Sequence, residues 1–571
     1  MKHLMSCLKG YRKEAVLAPL FKLLEASLEL IVPLVVAAIV DTGIAAGDKS
    51  YIIKMCLVLV GFGLVGLAFS LTAQYFAARA AVGASSALRE RLFCKLQSFS
   101  FAQIDEMGTS TMITRMTSDV NQVQTGVNMT LRLFLRSPFI VFGAMIMAFV
   151  VDVKAALVFV AIIPLLSVAV FAVMAACIPL FRKVQEHLDK VFLSTRENLA
   201  GVRVVRAFCK EKSETAEFDV RNGNLRGAQK KAGLIAALTN PLTYVLVNLA
   251  VIALVYVGAL RVDGGALGQG DVIALYGYLS QILVELIKLA NLIVTITKAV
   301  SCQKRIGKVL EEAGEPSVLC ACANGEQSED LIRFRNVSFA YAGGGENALT
   351  GIDFSVKRGE TVGIIGGTGS GKSTLVHLIP RFYAATEGEV LLEGKDVKGI
   401  PATELRERVG IVLQKAVLFK GTIRSNLLWG NGNATEEELL SAVKKAQALD
   451  VVEAKGGLDA EIAQDGKNLS GGQRQRLTIA RALVRKPDIL ILDDSSSALD
   501  YATDAKLRAS LRETGSTVFL VSQRTASICH ADKIIVLDDG KPAGTGTHEQ
   551  LLATCGVYRE IYQSQFKGEE A

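Results

Sequence analysis

The chain has 571 residues, too many for a single hydrophobic core and enough by length for three or four domain equivalents. Half of the residues are apolar and the mean hydropathy is +0.35, which is high for a soluble enzyme and points to membrane segments. The net charge of +7 gives no case for nucleic acid as a partner.

The apolar excess is concentrated in the first half. From Met1 to about Val300 the chain carries long apolar stretches, whereas from Leu331 onward short β-branched runs alternate with charged amphipathic segments. The expected division is a membrane domain over 1–300, a linker over 301–330 and a second domain over 331–571. The stretch from Glu311 to Asp330, small and charged without an apolar period, carries the linker reading.

About 20 apolar residues cross a bilayer core, and six stretches qualify, near 16–40, 53–76, 130–151, 155–179, 242–260 and 272–297. The connections after the first, third and fifth are short: Asp41 to Tyr51, Asp152 to Lys154, Arg261 to Asp271. Those after the second and fourth are long and carry Arg79, Arg89, Arg91, Lys95 and Arg115, then Arg182, Lys183, Arg196, Arg203, Arg206, Lys210 and Lys212. The Lys/Arg bias places these long connections and both termini in the cytosol. Good helix formers through Ala84 to Leu96 and Val184 to Ala207 predict that the long connections are helical extensions of the spans.

The segment ahead of the first span has no A-x-A-like cleavage site, so the span is expected to be its own uncleaved targeting element. Ten cysteines are scattered along the chain; Cys320 and Cys322 form a lone C-x-C without a second pair, and reduced structural thiols are the expectation.

In the second half, Gly366-Gly367-Thr368-Gly369-Ser370-Gly371-Lys372-Ser373 fits G-x-x-x-x-G-K-[ST] directly after the strand-like run Thr361 to Ile365, with Thr374 next in line. The glycines let successive N–H groups point at phosphates, Lys372 adds a point charge, and the Ser373 hydroxyl suits magnesium. About a hundred residues on come Leu469-Ser470-Gly471-Gly472-Gln473 and then the apolar run Ile489 to Leu492, closed by Asp493-Asp494. An aspartate ending a buried parallel strand there holds hydrated magnesium beside the phosphates.

These three motifs in this order resemble the nucleotide-binding domain of an ABC transporter, and with six spans ahead of them the whole chain resembles an exporter-type half-transporter. The resemblance implies an all-α six-helix transmembrane domain with long cytosolic helix extensions, followed by an α/β P-loop ABC ATPase domain, in the cell membrane with both termini and the ATPase cytosolic. ATP and Mg2+ are the implied cofactors, and the implied activity is that of an ATP-hydrolysing translocase. Tyr341 matches the aromatic on which the family stacks adenine, although a buried strand tyrosine fits the sequence equally. Gln414 matches the glutamine that reaches magnesium and the attacking water, so Ser373, Gln414 and Asp493 form the implied magnesium set. Short coupling helices are implied near Gly108 to Met116 and Lys210 to Phe218, with solvated loops as the alternative.

Two positions depart from the family pattern. Asp494 stands where a glutamate serves as base or positioner for water, and its carboxylate is withdrawn by about 1 Å, a misplacement worth about a hundredfold in rate. Gln523, after the run Thr517 to Val521, stands where a histidine contacts the terminal phosphate, and an amide carries no positive charge. The signature Ser470-Gly471-Gly472-Gln473 is intact, and in the family it serves the nucleotide held by a second ATPase domain, with Ser497-Ala498-Leu499-Asp500 matching the loop where the two sites touch. The chain therefore resembles the degenerate-site subunit of a heterodimeric bacterial multidrug exporter, expected to pair with a second, non-identical half-transporter.

Glu25 and Glu29 lie four apart, on one face inside the first span. Intramembrane carboxylates line a cavity, where they attract cationic amphiphiles, pair with a neighbouring span, or lie at the cytosolic water line, and the sequence leaves these open. Asn248, Tyr256, Tyr276, Gln281 and Glu285 add polar points to the fifth and sixth spans. A hydrophobic or amphiphilic substrate and contact with membrane lipids are expected; a lipid or peptide exporter, or a mainly regulatory ATP-binding subunit, are the alternatives.

Overall fold

Six long helices account for most of the first half, and their lengths exceed what a bilayer requires. They run His3–Ile44, Lys49–Gln97, Thr109–Val151, Val153–Ala200, Glu211–Asp263 and Gln269–Glu311. At about 1.5 Å per residue the second reaches roughly 70 Å, more than twice a hydrocarbon core of about 30 Å. These elements come from a computed structural model that describes residues 2–316, 318, 329–341 and 343–566; Cys320 and Cys322 lie outside the described residues. The chain divides into two units, one of residues 1–97 and 110–312, the other of residues 98–109 and 313–571.

In the first unit, small side chains set the packing. Ala73, Ala77, Ala80, Ala81 and Ala84 recur at helical spacing on the second helix and are fully buried, as are Ala18 and Ala26 on the first. The first and third helices contain π-helical turns at Ile39–Ile44 and Arg115–Asp119. Between the third and fourth, Asp152 alone makes the turn: it breaks the helix, caps the next one by accepting from the Ala155 amide at 2.8 Å, and pairs with Arg261 at 2.7 Å. The sixth helix continues to Glu311, so the segment from 301 begins as helix.

The short helices between the long ones lie earlier in the chain than the resemblance implied. One spans Phe101–Met107: Ser100 and Gln103 form a capping box at its start, and Gly108 ends it at φ +73°. The other spans Val202–Ala207, after Gly201 and before Cys209 at φ +51°. Thr109–Thr114 opens the third long helix instead, and Lys210 only precedes the helix Glu211–Ala237, without a side-chain cap bond.

In the second unit, β1 (Asp330–Phe339), β2 (Leu349–Lys357), β4 (Glu387–Leu392) and β5 (Lys395–Asp396) form an antiparallel sheet in the order β2-β1-β4-β5. A six-stranded sheet takes β3 (Thr361–Gly366), β6 (Val409–Val412), β9 (Ile489–Asp493), β10 (Thr517–Val521), β11 (Lys533–Asp538) and β12 (Lys541–Gly546) in the order β12-β11-β3-β10-β9-β6. The short strands β7 (Gly421–Thr422) and β8 (Glu461–Ile462) pair separately. Every residue of β9 and β10 is buried, which suits parallel strands covered on both faces. Strands β11, β3, β10, β9 and β6 run parallel, so their carboxyl ends share one edge of the sheet. That edge is where ligands bind in open α/β sheets.

Candidate functional site

The parallel order delivers the predicted ATP-site residues to that edge. The phosphate loop follows β3, Gln523 follows β10, Asp493 and Asp494 close β9, and Gln414 follows β6. Gly371 has φ +88°, and a Cβ there would meet the Ala348 carbonyl oxygen at 2.8 Å; a Cβ on Gly366 would meet that of Leu537 at 2.1 Å. Only glycine closes this loop.

Lys372 Nζ donates to the carbonyls of Gly366 at 3.0 Å and Gly367 at 2.6 Å, leaving one of its three donors for a phosphate. Burial lowers the Lys372 pKa, opposed by the carboxylates of Asp494 and Asp493. Ser373 Oγ donates to Asp493 Oδ1 at 2.8 Å, which places two oxygen donors side by side as a hard cation requires. Gln414 Nε2 donates to Asp494 Oδ2 at 3.2 Å, so the amide oxygen of Gln414 is its remaining group for magnesium. The oxygen-only donor set of Ser373, Asp493 and Gln414 fits Mg2+.

Asp494 is 9% exposed and sits at φ +45°, a left-handed conformation that aspartate tolerates better than longer side chains do. Burial raises its pKa; the Gln414 hydrogen bond opposes the shift, adjacent Asp493 reinforces it, and Lys372 and Arg524 oppose it. Gln523 Nε2 approaches the same Oδ2 at 3.5 Å. The two departures from the family pattern thus meet at one carboxylate oxygen.

Tyr341 is 41% exposed at the end of β1, its hydroxyl 2.9 Å from Thr374 Oγ1, with Phe339 and Tyr383 edge-on to its ring. The exposed ring suits stacking better than a core position. Ser470 and Gln473 form a capping box at the start of the helix Gly471–Val484, while a Cβ on Gly472 would meet the Ala498 carbonyl oxygen at 2.8 Å. Among the described residues no hydrogen bond joins this signature turn to the phosphate loop of its own chain, and Ser470 and Gly471 are exposed.

Three contributors escaped the sequence. His377 Nε2 lies 3.5 Å from Asp493 Oδ2, on the helix that carries Lys372. Gln565, near the carboxyl end, accepts from the Thr525 amide at 2.8 Å and donates to the Gln523 carbonyl at 2.7 Å, fixing the loop after β10. Arg524 donates to the Ser497 and Leu499 carbonyls and covers the Tyr501 ring. Helical spacing would have found only the first.

In the first unit, Glu29 and Glu25 are both paired. Arg136, itself buried, donates to Glu29 at 2.7 and 2.9 Å and to Glu285 at 2.6 Å; Ser137 and Lys288 complete the Glu285 carboxylate at 2.7 and 2.8 Å. Lys22 holds Glu25 at 2.5 Å and Ser70 at 3.0 Å. Three carboxylates thus face three cations. Gln281 donates to the Glu29 carbonyl and is bound into the same helix contact. Glu25 and Glu29 also line a groove of about 430 Å³ between the first and second helices, with Leu28, Phe62 and Leu67.

Residues 16–286 match the ABC transporter transmembrane region, and residues 349–497 match the ABC transporter family. The chain is 37% identical over 570 residues, 99% of each chain, to the "Uncharacterized ABC transporter ATP-binding protein YfiB" of Bacillus subtilis. It is 31% identical, over 99% of each chain, to the "Putative multidrug export ATP-binding/permease protein YgaD" of the same organism. Among solved structures, one described as a bacterial Atm1-family ABC exporter with ATP bound superposes with a TM-score of 0.80 at 25% identity, covering 97% of this chain and 98% of that one. With the phosphate loop, Asp493 and Gln414 gathered on one sheet edge behind six long apolar helices, the chain belongs to the ABC transporters, in the exporter-type arrangement of a transmembrane region followed by an ATP-hydrolysing domain.

Proposed function

We propose that this chain is one half of a heterodimeric exporter that drives amphiphilic small molecules across the cell membrane, with its ATPase domain and both termini in the cytosol. Its own ATP site holds nucleotide and hydrolyses it slowly, while its signature turn completes the partner's site. The observation that carries this reading is the meeting of Asp494 and Gln523 at one carboxylate oxygen.

The residues divide the work by chemistry. Loop N–H groups and Lys372 would hold the phosphates, Tyr341 would stack the base, and Ser373, Asp493 and the Gln414 oxygen would hold Mg2+, whose charge would offset that of the phosphates. Asp494 orients the attacking water and takes its proton as the water oxygen bonds to the γ-phosphorus and the bond from that phosphorus to the ADP oxygen breaks, releasing phosphate and ADP. Gln523 offers the terminal phosphate an uncharged donor, so the developing charge is met more weakly than by an imidazolium. In the membrane unit, the pairing of Glu25 and Glu29 leaves no net negative charge in the groove, which favours an apolar or amphiphilic cargo over a compact cation.

The test is co-purification and turnover. Expressed alone with a tag and pulled from its native membrane, the chain is expected to bring down a second half-transporter that has glutamate and histidine at the two positions, and the pair is expected to hydrolyse ATP faster than this chain alone. A homodimer that turns over at the full rate of the pair would overturn the proposal.

A further inference from the structure

β10 ends at Val521, and the sheet holds the chain for one residue more, where the Ser522 amide donates to the Ile364 carbonyl at 3.1 Å. Gln523 and Arg524 follow, and then the short helix Thr525–Ile528, whose first amides have no partners inside the helix. A serine, threonine, aspartate or asparagine just ahead of a helix usually supplies the acceptor. Arg524 stands there instead, and a guanidinium carries only donors.

The missing acceptor comes from the helix Gly556–Phe566. Gln565 Oε1 accepts from the Thr525 amide at 2.8 Å and from Thr525 Oγ1 at 2.8 Å, while Gln565 Nε2 donates to the Gln523 carbonyl at 2.7 Å. One side-chain amide thus holds the backbone on both sides of Arg524. Its own helix is anchored by Tyr558, which is fully buried in the core that also contains Ile528 and whose hydroxyl lies 2.7 Å from His548 Nδ1. Gln565 itself is exposed, so what it contributes is its three hydrogen bonds and not apolar burial. Arg524 holds the other side of the same turn by donating to the carbonyls of Leu499 at 3.2 Å and Ser497 at 3.4 Å.

We propose that Gln565 is a positioning residue for Gln523: by fixing the carbonyl of residue 523 and the amide of residue 525, it holds the Gln523 side chain at the terminal-phosphate end of the ATP site and is required for this chain to tell ATP from ADP. The inference rests on the ATP-site reading above. A glutamine side chain turns about several bonds, and an uncharged amide is not drawn to a phosphate over distance, so its hydrogen bond depends on a backbone already in place. The phosphate loop and Tyr341 stand apart from this turn. Its release therefore weakens the nucleotide that carries a third phosphate and spares the one that does not.

The test is competition of Mg–ATP and Mg–ADP against photolabelling with azido-ATP in the cold, read on this chain's own band from membranes holding the full-length protein, so that it applies with or without a second subunit. In wild type, ATP is expected to compete better than ADP, and Gln523→Ala is expected to reduce that preference by about fivefold or more, the scale of one hydrogen bond to a charged group. Gln565→Ala and Gln565→Glu are each expected to reduce it by about threefold or more, with ADP affinity within about twofold of wild type. Gln565→Glu keeps both acceptor oxygens for Thr525 and removes only the donor to the Gln523 carbonyl. The double variant Gln523→Ala, Gln565→Ala is expected to lie within about twofold of Gln523→Ala alone, because a residue that acts through Gln523 then has nothing left to position. Additive losses in the double variant overturn the proposal. So does an equal loss of ATP and ADP affinity, which would make Gln565 a structural support only, and so does an unchanged preference in both Gln565 variants. An unchanged preference in Gln523→Ala, or wild type that binds no ATP, would instead overturn the ATP-site reading on which the proposal rests.

Discussion

Gln523 Nε2 lies 3.5 Å from Asp494 Oδ2, while Gln414 Nε2 donates to the same oxygen at 3.2 Å. Two amides therefore hold one short carboxylate at the sheet edge, and the left-handed backbone at residue 494 suits aspartate. Replacement by glutamate and histidine together, Asp494→Glu with Gln523→His, is expected to raise cleavage at this chain's own site by about tenfold to a hundredfold, the range that a 1 Å correction supports. In the proposed heterodimer, single-turnover cleavage with the partner's glutamate disabled reads this site alone. An unchanged rate would assign the slow step to the partner's signature.

The same carboxylate makes a stability prediction. Burial raises the Asp494 pKa in the folded protein above its unfolded value. A raised carboxyl group penalises folding once pH exceeds the unfolded pKa, because the native state must then either keep a proton or bury a charge. Asp494→Asn is accordingly expected to melt higher than wild type at neutral pH, and the advantage is expected to vanish as pH falls below the ordinary carboxylate range. Thermal unfolding of the detergent-solubilised protein from neutral pH down to about pH 3 measures it; an advantage that grows toward acid would contradict the assignment of burial as the dominant cause.

Much of this site is legible in the sequence because each motif is local. The phosphate loop, the signature and the acidic end of β9 are contiguous runs, and the burial of β9 follows from four consecutive apolar residues. The membrane helices are legible for the same reason, as apolar content is a property of a window. What escapes is non-local or is carried by one polar contact. Arg136 and Glu285 are 149 residues apart, and no periodicity announces that they meet. Gln565 reaches the loop after β10 from a helix 40 residues on. The short helix Phe101–Met107 carried a readable signal in Ser100-Phe101-Ala102-Gln103, a capping-box spacing.

Arg136 is buried between Glu29 and Glu285, so its removal takes the cation from Glu29 and leaves Glu285 with Lys288 and Ser137 alone. Arg136→Leu is expected to destabilise the membrane unit by about 3–5 kcal/mol, whereas the triple change Arg136→Leu, Glu29→Gln, Glu285→Gln is expected to recover most of that loss. Unfolding midpoints in detergent, compared pairwise, test it. Equal damage from the single and triple changes would show that the guanidinium acts by packing and not by charge compensation.

Lys372→Ala removes the phosphate-facing charge and its two loop contacts. Nucleotide retention at this chain's site is expected to fall by about tenfold or more, while transport by the proposed heterodimer slows without stopping, because in that proposal the partner's site is the competent one. Occupancy is measured by photolabelling with azido-ATP and transport in inverted vesicles with a fluorescent amphiphile. Undiminished labelling of this chain would contradict the placement of Lys372 at the phosphates.

The signature turn gives the sharpest separation between the two sites. Ser470 and Gly471 are exposed, and a Cβ on Gly471 would meet no atom within 4 Å, so Gly471→Asp is expected to leave the fold and the melting temperature unchanged. Its carboxylate would face the terminal phosphate of the nucleotide held by the partner, and like charges in a dry interface repel strongly. ATPase activity of the pair is expected to fall by about a hundredfold, the scale on which loss of one transition-state donor is felt, while Asp494→Asn in the same chain lowers it much less. Steady-state hydrolysis by the two variants, with melting curves as the control for folding, decides the matter. If Gly471→Asp stayed near wild type and Asp494→Asn abolished turnover, this chain would be the hydrolytic subunit.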